Sequence, residues 1–187
     1  MSNRVCHPRS VPEPDALSLT DWVVLALVAE EPRHGFAVAK ELAPDAMLGE
    51  AWTVRRPLVY RAIDHLRDAG LVEPVRTEAG AQGPHRTVYR ATRSGATRVT
   101  RWLDRPVDHP RDVRTELLVK LLLRARRDRP LAPLARAQLA RFASVSDGLD
   151  QRAAAAEGPE RVVARWRVES IAAIRRTLES IATDESP

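Results

Sequence analysis

The sequence predicts a mainly α-helical chain that carries one small β-hairpin, and three observations lead to that expectation. Apolar residues recur at helical spacing through most of its 187 residues. One stretch alone changes to a period of two, over residues 72–77 and again over 87–91. Glycine and proline punctuate the boundaries, at Pro32, Gly70, Gly80, Gly83, Pro84, Gly158 and Pro159.

Taken in order, residues 1–16 are rich in Pro, Ser and charge and read as a disordered tail. Order begins at Ser18-Leu19-Thr20-Asp21, a capping box before an apolar run. Trp22, Leu25, Ala26 and Ala29 share a face of the helix that follows, and Glu31-Pro32 ends it. His34-Gly35 opens a second helix through Leu42, with Phe36, Ala39 and Lys40 in its body, and residues 44–50 read as a loop. A third helix starts at Arg56-Pro57, proline being pre-set for the first helical position. Val59, Ala62, Ile63 and Leu66 form its apolar face, with Arg61, Asp64, His65 and Asp68 opposite. Gly70 supplies a left-handed C-cap, with Leu71 as its hydrophobic contact. The two strands follow, separated by a long glycine-rich loop over 78–86. Thr92 or Ser94 caps a fourth helix through Val99, Trp102 and Leu103. After a proline-rich joint at 106–110 come three helices, over residues 111–127, 134–156 and 159–181. The expected organisation is a helix-and-hairpin domain over 17–105 and a helical domain over 111–183.

Composition bounds the function. With 44% hydrophobic and 29% charged residues the chain can build a core. Its longest apolar run, residues 22–29, is far short of the ~20 residues that span a bilayer. The first residues lack the apolar segment of a secretory signal, and one cysteine, Cys6, excludes an intrachain disulfide. A cytoplasmic protein is expected. Metal-ligand spacings and nucleophile or phosphate-loop motifs are missing, and Cys6-His7 stands without a second cluster. The reading is therefore not an enzyme, with no metal and no cofactor.

Charge points to a polyanion. All but Lys40 and Lys120 of the 30 basic residues are arginine, a bias that a GC-rich genome also produces. The net charge is +5, but residues 54–101 hold ten arginines against four carboxylates, so that segment alone is +6. Helix, helix, loop, helix and basic hairpin together are the layout of a winged helix-turn-helix. Its third helix fits a major groove, and its hairpin lies along the backbone or minor groove. The candidate double-stranded DNA contacts are His34, Arg55, Arg56, Tyr60, Arg61, His65, His85, Arg86 and Thr87. Tyr60 has two readings, a phosphate donor or a ring packed on the first helix or the wing.

Residues 19–103 resemble the PadR family of bacterial transcriptional regulators. The matching pieces are Leu25-x-Leu27 and His34-Gly35-Phe36, where the family favours His-Gly-Tyr. They continue through Trp52, Val59-Tyr60-Arg61-Ala62-Ile63-x-x-Leu66, Ala69-Gly70-Leu71-Val72, Arg86-x-Val88-Tyr89-x-Ala91-Thr92 and Ser94-Gly95. The helical remainder, with Arg114-Thr115-Glu116-Leu117-Leu118-Val119-Lys120-Leu121, resembles the longer AphA-like dimerisation region of one branch. Before the hydrophobic-Tyr pair the family often has small polar residues, whereas this chain has Arg55-Arg56-Pro57-Leu58. Thr53 is then the available cap for the third helix.

The resemblance implies a regulator, most often a repressor, that binds a palindromic operator as a homodimer. Two recognition helices then sit one helical turn, ~34 Å, apart on DNA. Candidate dimer residues are Leu117, Leu121, Val163, Trp166, Ile174, Leu178 and Ile181; a private bundle in a monomer is the alternative. The family's cavities for aromatic or apolar molecules imply an effector. Among Trp22, Trp52, Trp102 and Trp166, the candidates are Trp22 and Trp166, against ordinary core packing. The rival readings are a winged-helix protein-interaction module and a MarR-like regulator.

Overall fold

The computed structural model describes residues 17–80 and 83–183; the expected tail, with Cys6, lies outside them. Helix α1, Leu19–Glu30, begins at the anticipated capping box. The Ser18 hydroxyl accepts from the Asp21 amide at 3.1 Å, and the Ser18 amide donates to Asp21 Oδ2 at 2.9 Å. Every residue from Val23 to Val28 is buried. This is more than the single apolar face expected, because α1 is covered on several sides. It packs on α4 (Arg56–Asp68), on α5 (Arg93–Asp104) and on strand β3 (Gly83–Ala91).

Three further short elements precede α4. Strand β1, Arg33–His34, pairs antiparallel with β3, Arg33 opposite Tyr89 and His34 opposite Val88. Helix α2, Gly35–Glu41, follows it, capped by His34 Nδ1, which accepts from the Ala37 amide at 3.0 Å. The expected loop over 44–50 instead contains helix α3, Met47–Ala51. Gly49 there is no loop residue: a Cβ on it would collide with the Ala43 carbonyl. Leu48 beside it is buried in the core.

Helix α4 buries Val59, Ala62, Ile63 and Leu66, the face that its sequence spacing specified. Its cap is Arg55, with no side-chain hydrogen bond, while the Thr53 hydroxyl donates to the Gly49 carbonyl at 2.7 Å. Thr53 is therefore not the cap. At the other end Gly70 adopts φ +66°. The Leu71 amide reaches the Leu66 carbonyl at 2.8 Å and the Gly70 amide reaches that of Arg67 at 2.9 Å, a complete Schellman motif.

Strand β2, Val72–Gly80, completes a three-stranded antiparallel sheet in the order β1-β3-β2. Its pairing with β3 runs through Glu78↔Arg86 to Gly80↔Gly83, so the wing is a longer paired ribbon than the loop expected over 78–86. The register shifts twice, between Pro74 and Arg76 and between Glu78 and Gly80. Pro74, which has no amide hydrogen, is tolerated because β2 is an edge strand. Helix α5 is capped by Thr92, whose hydroxyl accepts from the Gly95 amide at 3.1 Å and donates to the Gly70 carbonyl at 2.9 Å.

The C-terminal half starts irregularly, with a 3₁₀ turn at Pro110–Asp112 and a wide π turn at Val113–Leu117. Helix α6, Leu118–Ala125, follows, and then α7, Ala132–Ala155, and α8, Glu160–Thr183, pack against each other. Val119 and Leu123 of α6 join the winged-helix core, whereas Leu117 and Leu121 join Phe142, Ile171 and Leu178 in a second core. Ion pairs fasten the first of these contacts. Arg126 binds Glu30 at 3.0 Å and Glu41 at 3.1 Å, and Arg33 binds the same Glu41 at 3.0 Å.

Candidate nucleic-acid interface

The outward side of α4 has two flanks. On the flank towards α2, Arg56 and Tyr60 lie one turn apart and both are exposed. The Tyr60 ring rests over Gly35, where a Cβ would come within 2.8 Å of it. Tyr60 thus packs on Gly35 of α2 and keeps 42% of its surface exposed. On the other flank Arg61 and His65 line a shallow groove with Ser18, Thr20, Asp21 and Leu58. His65 Nδ1 lies 3.2 Å from Asp21 Oδ2, the same oxygen that closes the capping box of α1. A carboxylate therefore tempers the positive charge on that side.

The wing meets α4 through Phe36, a residue absent from the expected contact set. The guanidinium carbon of Arg56 lies 4.8 Å from the Phe36 ring centroid, and that of Arg86, from β3, also lies at 4.8 Å. Arg56 is in addition 5.9 Å from the Tyr60 ring. Such cation–π contacts contribute about 0.5–1 kcal/mol each at exposed sites. Among the described residues no carboxylate lies within salt-bridge distance of Arg55, Arg56, Arg61 or Arg86. Other arginines of the wing are paired, Arg90 with Glu73 at 2.8 Å and Arg76 with Glu78 at 2.8 Å, whereas Arg93, Arg98 and Arg101 of α5 also have no ion pair among the described residues. Arg67, exposed beside Asp68 and Asp64, has its pKa raised by their hydrogen bond and charge.

Of the remaining expected contacts, His34 is half-buried and accepts at Nδ1. In the neutral ring that leaves the proton on Nε2. His85 is exposed and Thr87 half-buried on β3, with Thr87 opposite Thr77. The only signal in the sequence for Phe36 was its place after His34-Gly35. Its three-way meeting with α4 and the wing is long-range, and spacing does not reveal it.

The expected dimer and effector residues scatter more widely. Leu117 and Leu178 are buried within the single chain, and Leu121, Ile174 and Ile181 pack partly against the same core. Their surface is largely spent inside one chain. Val163 and Trp166 are exposed, Trp166 at 74%. Trp22 and Trp166 do not meet: Trp22 stacks on Trp102 in the winged-helix core, centroids 5.3 Å apart and rings 3° from parallel. Trp166 borders an open cleft of about 850 Å³ with Val145, Leu149, Ile171 and Ile174, ringed by Arg111, Arg114, Arg152 and Arg167.

Among the described residues no helix is long and apolar enough to cross a membrane, and no three His, Cys, Asp or Glu group as metal ligands do. No curated protein matches the chain. Several solved structures are similar to it. Bacillus subtilis PadR in complex with operator DNA shares 20% identity over 88% of this chain and 98% of that one, with a TM-score of 0.46. The same protein in complex with p-coumaric acid shares 19% over 88% and 97%, at 0.41. The Streptococcus mutans protein smu.1604c shares 14% over 86% and 96%, at 0.41. The sequence of residues 24–101 matches the transcriptional regulator PadR-like family. Residues 24–101, from within α1 through most of α5 and including the wing and the basic α4, are a PadR-like transcriptional regulator domain.

Proposed function

We propose that this chain is a cytoplasmic, sequence-specific DNA-binding regulator, acting as a repressor on a palindromic operator as a homodimer. The observation that carries the reading is the set of four carboxylate-free arginines, Arg55, Arg56, Arg61 and Arg86, spread over α4 and the wing of one PadR-like domain. Guanidinium groups left without protein partners are suited to phosphates and to guanine edges. His34, Tyr60, His65, His85 and Thr87 extend the same surface as hydrogen-bonding groups. Dimerisation is supported by three large apolar side chains standing in water on α8, Val162, Val163 and Trp166. An aromatic or apolar effector is supported by the cleft beside Trp166, whose apolar floor and arginine rim suit a flat molecule.

The test is a gel-shift titration with DNA from the gene's own upstream region, across a salt series and against scrambled DNA. The reading expects tighter binding to the upstream DNA and a steep loss of affinity with salt. Arg56→Ala and Arg86→Ala each weaken it. Binding that is absent from every duplex of a genome-wide DNA pull-down overturns the reading. Sedimentation at micromolar concentration expects twice the 20.8 kDa of one chain; a single-chain mass throughout overturns the homodimer. Titration with phenolic acids, antibiotics and pigments expects quenched tryptophan fluorescence and release of DNA, and a silent panel counts against the effector.

A further inference from the structure

We infer that Phe36 is a positioning residue for DNA, holding Arg56 of α4 and Arg86 of the wing together as a clamp for one backbone phosphate. The inference rests on the DNA-binding reading above and names the residue that organises it. Both guanidinium carbons lie 4.8 Å from the Phe36 centroid, so they stand no further apart than twice that distance, gathered at one ring. Two like charges so placed repel, and among the described residues no carboxylate accompanies either arginine. Left to themselves, two long side chains, Arg56 exposed and Arg86 half-buried, would move apart into water, where rotamer freedom and hydration both favour separation. The negative face of an aromatic ring is the attraction present here that offsets this.

The rest of the local structure serves the ring's position rather than its burial. Phe36 is 38% exposed and belongs to neither core, so packing does not account for an aromatic side chain there. Its backbone is fixed on both sides. His34 caps the helix at Ala37, and Gly35 is held under Tyr60 of α4. The ring is thereby set at the corner where α2, α4 and β3 meet. A phosphate arriving there finds both donors gathered before binding, which lowers the ordering cost that each arginine would otherwise bear in the complex.

The experiment uses the full chain and a short fluorescein-labelled duplex of random sequence, because phosphate contacts do not depend on sequence. Phe36→Tyr keeps the ring and binds like the parent. Phe36→Leu weakens binding about three- to tenfold with an unchanged salt slope, since the arginines remain but are no longer gathered. In the Arg56→Ala/Arg86→Ala background, Phe36→Leu has no further effect. That double variant flattens the slope of log affinity against log salt by about 0.9, the value for a single phosphate. A flattening twice as large gives each arginine its own phosphate and overturns the clamp. An equal loss from Phe36→Leu in both backgrounds makes Phe36 a direct DNA contact and also overturns it, as does no loss in either.

A second measurement needs no DNA. In nuclear magnetic resonance spectra of the free protein, the Arg56 and Arg86 side-chain protons are shifted upfield by the ring in the parent and in Phe36→Tyr, and not in Phe36→Leu. Absence of that shift in the parent overturns the gathering whatever the duplex does. If the shift is present but the full chain binds no duplex in the titration, the DNA reading falls, and the clamp with it.

Discussion

Gly35 lies directly beneath the ring of Tyr60: a Cβ at position 35 would come within 2.8 Å of Tyr60 Cε1 and 3.1 Å of Ile63 Cδ1. The glycine that follows His34 is therefore a matter of space between α2 and α4. Gly35→Ala is expected to push the Tyr60 ring outward and to cost about 1–3 kcal/mol, read as a lower urea midpoint. Tyr60→Ala in the same chain should recover part of that loss. Full additivity of the two changes would show that the ring is not the obstacle.

Arg126 ties the last turn of α6 to Glu30 of α1 and Glu41 of α2, with side chains only 21%, 12% and 31% exposed respectively. Its hydrogen bonds to Glu30 raise its pKa against the opposing effect of burial. Removing it leaves Glu30 with longer contacts, to Arg33 at 3.5 Å and Arg127 at 3.6 Å. Arg126→Ala should destabilise the chain by about 1–2 kcal/mol, or several degrees in Tm, and speed amide exchange in α6. Unchanged exchange in α6 would mean that apolar packing alone holds this helix.

Two groups make stability rise with pH, one in the acid range and one in the alkaline. Burial raises the pKa of Asp104, but hydrogen bonds from Arg124 and Arg129 outweigh it and leave the value below 3.8 in the folded chain. The resulting stabilisation is complete above the ordinary carboxylate pKa and is lost as pH falls through the folded one. Lys120 is pushed down from 10.5, first by burial, against the opposing pull of Glu116 at 2.6 Å. Its folded form loses a proton first, so stability rises with pH between the folded pKa and 10.5. Urea titrations should show Asp104→Asn flattening the acid limb and Lys120→Met flattening the alkaline one. A limb unchanged by its own substitution would refute that assignment.

Thr92 joins the end of α4 to the start of α5. Its amide donates to the Leu71 carbonyl at 2.9 Å, and its hydroxyl serves the Gly70 carbonyl and the Gly95 amide. Gly95 packs so tightly on the Leu71 carbonyl that a Cβ would overlap it. Thr92→Val keeps the shape and removes the hydroxyl, for an expected loss of about 1–2 kcal/mol. Thr92→Ser should retain most of the stability in thermal melts, and an equal loss in both variants would point to the methyl group instead.

Local features of the sequence were the legible ones. The Ser18–Asp21 box, the apolar face of α4 and the left-handed Gly70 each involve residues within a few positions, so spacing alone specifies them. Helix α3 and strand β1 were hidden because five residues and two residues are too few to display a period. Glycines mark a loop in the sequence where backbone pairing continues, so the wing is longer than its spacing indicates. At the interface the arginines were visible as charge, but their arrangement was not. His65 meets Asp21 from 44 positions away, and Phe36 gathers arginines from two other elements. Residue type makes Trp22 and Trp166 candidates together, whereas burial assigns Trp22 to a stack with Trp102 and leaves Trp166 in water.

Helix α6 presents Val119 and Leu123 to one core, while Leu121 and the adjoining Leu117 enter the other. It acts as a shared axle. Ending the chain before it would strip the winged helix of part of its lining and bare apolar surface among α1, α3 and α5. Such a fragment would self-associate rather than stand as a clean domain. In the intact chain the two halves should melt as one cooperative unit. Because α6 lines both cores, any displacement of the C-terminal helices that moves it also disturbs the packing beneath the elements that present α4.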